Sequence, residues 1–144
     1  MLDVIRLACG VLGTHAMVYD FRELVCWQLS YALKCEVFAF TETGPAAKDF
    51  RYCDQIRDSS ASAPRNIAEG FGRFRPRDSA RFYEIARASL IETKNHLIDG
   101  HDRSYMDDNL YFRLSNLYLA ARKSTTNLMR SKQRDANNNR NRGN

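Results

Sequence analysis

A chain of 144 residues suits one domain, and 44% apolar with 27% charged residues is a globular composition, not a disordered one. The formal net charge of +5 is concentrated at one end: residues 132–144 hold four Lys or Arg against one Asp, or +3, leaving +2 for the rest. So mild a body weakens any whole-protein argument from charge to nucleic acid. The cysteines Cys9, Cys26, Cys35 and Cys53 are separated by 17, 9 and 18 residues, which fits no zinc or redox pairing motif. His15, His96 and His101 form no ligand cluster with them. No metal and no cofactor are therefore expected, and buried free thiols in a reducing cytoplasm are.

Along the chain, residues Val4 to Leu12 are apolar but are preceded by Asp3 and interrupted by Arg6, without a basic leader. They are too short to span a bilayer, so no membrane association is expected. Residues 1–19 are read as a poorly defined N-terminal extension. A first helix is predicted from Asp20 to Thr41, with Asp20 and Glu23 in capping-box register. Leu29, Leu33, Val37 and Phe40 lie on one face of it, and Phe21, Leu24, Trp27 and Tyr31 on another. Gly44-Pro45 ends it. A second helix runs from about Ala47 to Gly70 or Phe71 and contains Pro64, which predicts a kink over Ser60 to Pro64. Ser59, Ser60 and Ser62 are placed to re-satisfy the freed backbone groups.

Gly70-Phe71-Gly72 stops that helix, and Pro76 opens a third that continues to about Asp99, with Gly100 as its stop. Phe82, Ile85, Ala86, Ser89, Leu90, Thr93 and Leu97 form its inward stripe. The fourth starts after Ser104, with Asp107 in capping register and a seam of Leu110, Leu114, Leu117, Ala121 and Leu128. Residues 132–144, with Asn137-Asn138-Asn139, are read as a disordered basic tail. Strand alternation and hairpin signals are absent. The fold class is all-α: an antiparallel up-down four-helix bundle over residues 20–131.

The segment Ala63-Pro64-Arg65-Asn66-Ile67-Ala68-Glu69-Gly70-Phe71-Gly72-Arg73 stands out. It sets a proline, two glycines and fixed polar groups between strongly helical stretches. It resembles the Pro-x-Asn-Ile-Ala-Glu-Gly-x-Gly-Arg signature of four-helix bundle proteins encoded in intervening sequences of bacterial 23S ribosomal RNA genes. Phe21-Arg22-x-Leu24, Trp27-Gln28, Phe82, Ile85-Ala86, Ser89-Leu90 and Glu92 extend the resemblance across roughly Phe21 to Met129. Ala88, where the family has glycine, departs from it and predicts a looser helix contact there. Ala63 replaces a larger aliphatic residue. The resemblance implies a ring-shaped homo-oligomer, with a pentamer expected, and association with RNA or ribonucleoprotein. Because it begins near Phe21, Met17 is expected to be the true start and residues 1–16 an extension.

No nucleophile, paired base or phosphate-cradling loop is present, so no catalytic residue is assigned and no enzyme is expected. Asn66 and Glu69 share a helix face. They either tie the second helix to its neighbours, Glu69 pairing with an arginine, or mark a ligand site. Gly70 and Gly72 are read as turn glycines. Arg65, Arg73, Arg75, Arg77 and Arg81 fall within seventeen residues, with Phe71 and Phe74 among them. Arginine holds phosphate bidentately and exposed Phe stacks on bases, which makes this cluster the nucleic-acid candidate. The competing view is a solvated turn with Asp78 and Glu84 as partners. Tyr111 and Tyr118, beside the leucine seam, belong to a subunit interface or to the core. A protein-binding scaffold without nucleic-acid contact is the alternative function.

Overall fold

The computed structural model describes residues 17–142; the remainder of the expected extension, residues 1–16, lies outside them. Residues 17–19 are exposed and irregular. Asp20 then starts the fold as its spacing to Glu23 suggests. Its carboxylate accepts from Arg22 N at 2.8 Å, and Glu23 Oε1 accepts from Asp20 N at 3.0 Å. The Arg22 guanidinium also grips this carboxylate and holds its pKa down at about 2. The capped element is a 3-10 turn, Phe21–Glu23, and helix α1 (Val25–Glu42) follows it.

Gly44, at φ 72°, adopts the left-handed conformation that ends α1. Asp49 Oδ1 accepts from Tyr52 N at 3.1 Å and caps α2 (Phe50–Phe71). Pro76 occupies the first turn of α3 (Pro76–Asp102), where its missing N–H costs nothing. Asp107 Oδ1 accepts from Leu110 N at 2.8 Å at the head of α4 (Asp108–Arg142). Asp107 is thus the cap, and Ser104, expected in that role, sits in the preceding turn at φ 59°.

Short connections make successive helices antiparallel, and each packs on two neighbours: α1 on α2 and α4, α3 on α2 and α4. Among the described residues there is no strand. One apolar cluster, including Leu33, Val37, Ile56, Leu90, Leu97 and Leu114, fills most of the bundle. A smaller one, Cys26, Ile67, Tyr83, Ala86 and Met129, fills the end where α2 turns into α3.

Several local expectations change. Helix lies on both sides of the expected kink, and α2 is continuous past a buried Pro64. Packing of Ala63 and Ile67, both fully buried, supports the turn that lacks one ladder bond. The nearby serines take other partners. Ser59 and Ser60 donate to the carbonyls of Ile56 and Arg57, and Ser62 pairs with Ser89 of α3 at 2.8 Å. Gly100 lies inside α3 instead of stopping it. Tyr52 occupies the space a side chain there would need, and its hydroxyl donates to His96 O at 2.9 Å.

On α3, Tyr83 is buried, whereas Ile85 is exposed. Ala88 faces solvent, so its methyl group loosens no helix contact. Tyr118 is buried, and Tyr111 is half-buried and packs against the core. Helical backbone continues past Lys132 to Arg142, through the segment read as a disordered tail. Extending an existing helix needs no new nucleus, and Lys132 and Asp135 add a pair one turn apart at 3.7 Å.

Candidate nucleic-acid interface

The signature forms the end of α2 and the corner into α3. Pro64, Ile67 and Gly70 face inward; Asn66 and Ala68 are half-buried; Glu69, Gly72 and Arg73 are exposed. Gly72 N donates to Ala68 O at 3.2 Å and Arg73 N to Gly70 O at 3.3 Å, closing the helix. Gly72 keeps a right-handed backbone, φ −73°. Ser79 of α3 reaches back to Arg73 O at 3.3 Å and Arg75 O at 3.4 Å, bracing the corner.

Gly70 is not a turn glycine. A methyl group built on it would lie 2.6 Å from Tyr83 Cε1 and 3.1 Å from Phe82 Cβ. The missing side chain lets the first turns of α3 close against the last turn of α2. Burial pushes the Tyr83 hydroxyl up to about 12, and the nearby Cys26 adds to this. Asn66 donates to Ser62 O at 2.8 Å and Ser62 Oγ at 3.1 Å. Its tie to the neighbouring helix therefore runs through the Ser62–Ser89 contact.

The five arginines sort into two groups. Arg73 pairs with Glu69 one turn back, and its guanidinium lies over the Phe82 ring at 4.6 Å. Arg65 approaches Asp58 at 4.0 Å, a contact between two largely exposed side chains that is worth little. With Ala68, Glu69 and Gly72, these two line a shallow depression of about 480 Å³. Arg75, Arg77 and Arg81 are exposed and form no ion pair among the described residues, so Asp78 and Glu84 do not neutralise them. Phe74, between Arg73 and Arg75, is fully exposed. Phe71 is half-buried.

This arrangement offers charge and a flat ring to a ligand. Among the described residues no group of three His, Cys, Asp or Glu could hold a metal. His101, which lies 2.7 Å from Asp108 and stacks on Tyr111, belongs to the opposite end of the bundle. Cys26, Cys35 and Cys53 are free thiols, and burial pushes Cys26 up to about 12. Among the described residues no helix is long and apolar enough to cross a membrane.

Motif spacing could identify the arginines but not their partners. It missed the packing role of Gly70, for which the only signal was bulky Tyr83 thirteen residues on. Comparison with curated proteins finds no match. The sequence profile of the family described as 23S rRNA-intervening sequence protein matches residues 22–127, the span that holds α1 to α3, the corner and the first part of α4, and the chain belongs to that family.

Proposed function

We propose that this protein is a non-catalytic, self-associating accessory module for RNA or ribonucleoprotein, acting in the cytoplasm, with the α2–α3 corner as its RNA contact. The observation that carries the reading is the unpaired state of Arg75, Arg77 and Arg81 beside a fully exposed Phe74. Three uncompensated guanidinium groups attract phosphate, and the ring gives an unstacked base a face to lie on. Self-association, with a ring of five expected from the family resemblance, would repeat this corner and multiply its charge.

The test is fluorescence anisotropy with a labelled ribosomal RNA fragment over a range of salt. Arg75→Ala/Arg77→Ala/Arg81→Ala should weaken binding and flatten the log–log salt slope by about 2, at roughly 0.7 per lost single-strand contact. Unchanged binding overturns the RNA reading. A protein-binding scaffold without nucleic-acid contact is favoured by a separate feature. Ile91 and Ile98 of α3 and Phe112 and Leu119 of α4 are exposed, each pair one heptad apart. Assembly without RNA affinity in light scattering supports that alternative.

A further inference from the structure

The arginine corner shares its end of the bundle with a second basic element. Met129 of α4 belongs to the same apolar cluster as Tyr83 of α3, so the last turns of α4 run down toward the corner. Two contacts set the antiparallel register of this helix pair. His101 Nε2 lies 2.7 Å from Asp108 Oδ1, and Lys94 Nζ donates to Ser115 Oγ at 2.7 Å. At equal rise per residue, that register brings Arg134 level with Arg75. Since α4 continues to Arg142, about eight residues, roughly 12 Å of helix, project beyond the start of α3.

No described residue after Met129 is buried, and residues 137–142 are all exposed. Residues 130–142 carry Arg130, Lys132, Arg134, Arg140 and Arg142 against Asp135. At 100° per residue these cations are spread around the whole helix, which therefore has no apolar face to pack. Asparagine, present at 137, 138, 139 and 141, adds little helix propensity. A positive rod therefore stands beside a positive corner, and the two repel unless an anion lies between them.

We infer that the overhang of α4 and the α2–α3 corner form one two-part surface that grips a single stretch of RNA. The corner takes one segment of the strand, and the rod takes the phosphates that continue past it. This rests on the RNA reading of the corner.

The experiment uses the full chain and a single-stranded RNA of mixed sequence, long enough to span both parts. Arg134→Gln/Arg140→Gln removes two rod charges with a residue that keeps helix propensity. Lys48→Gln/Arg51→Gln removes two exposed charges at the opposite end. The rod pair should lower the log–log salt slope by about 1.4, and the control pair should leave it unchanged. Circular dichroism checks that both variants stay helical. A rod pair with the parent's slope, while the corner variant loses affinity, overturns the two-part surface and leaves the corner reading standing. Equal losses from both pairs mean that binding follows net charge, and they overturn it too. If the unaltered chain binds no RNA, both readings fall.

Discussion

Two glycines of the signature should respond in opposite ways to the same added methyl group. Gly70 lies in helical backbone, so alanine there would gain up to ~1 kcal/mol of helix propensity if there were room. There is none. The new Cβ would sit 2.6 Å and 3.0 Å from two Tyr83 ring atoms and 3.1 Å from Phe82 Cβ. Tyr83 is only 2% exposed and has nowhere to swing. Forcing an extra carbon into such a site costs about 1–3 kcal/mol, for a net loss of up to about 2 kcal/mol once the propensity gain is set against it. A loss of about 2 kcal/mol lowers Tm by roughly 4–8 °C in a domain of this size. At Gly72 the nearest atoms are backbone oxygens at 3.6 and 3.9 Å, and the backbone is right-handed. Gly72→Ala should therefore gain about 0.4–1 kcal/mol by restricting the unfolded chain. Urea unfolding followed by circular dichroism measures both. A Gly70→Ala protein as stable as the parent, or a Gly72→Ala protein less stable than it, refutes the packing argument.

Two further outcomes test the opposite end and the small apolar cluster. Gly100→Ala should cost about 1–3 kcal/mol because the Tyr52 hydroxyl fills that space. Tyr52→Phe, which costs about 1 kcal/mol alone through the lost bond to His96 O, should cost less in the Gly100→Ala background; additive effects in a urea double-mutant cycle would discard the contact. Cys26 and Tyr83 are both pushed up to about 12 by burial, from ordinary values of 9.0 and 10.0. The unfolded chain therefore releases these protons first, so their contribution is complete below pH 9 and is lost progressively from there toward pH 12. A urea midpoint that stays level up to pH 11 contradicts this.

The bundle was legible because its signals are local. Capping residues at Asp20, a left-handed glycine at Gly44, Pro76 in a first turn and the Leu110–Leu128 seam each act within a few residues. What stayed hidden depends on residues far apart in the chain. Gly100 looks like a stop until Tyr52, forty-eight positions earlier, is found against it. Pro64 is plain in the sequence, but the burial of Ala63 and Ile67 that supports its turn is not. The site was half legible. Five arginines in seventeen residues are plain in the sequence, but the division between Arg73, held by Glu69 and Phe82, and the unpaired Arg75, Arg77 and Arg81 needs coordinates.

The hydroxyls between α2 and α3 act as an index. Thr93 donates to Ser59 at 3.1 Å while Ser62 meets Ser89 at 2.8 Å. Sliding one helix past the other by a turn would set Ser59 opposite Leu97 in one direction, or Ser62 opposite Ile85 in the other. Either shift exchanges a hydroxyl–hydroxyl contact for one between a hydroxyl and an aliphatic side chain, at roughly 0.5–1.5 kcal/mol for each bond lost. These two rods are thus indexed to one setting, which fixes where the arginine bend sits on the body of the molecule.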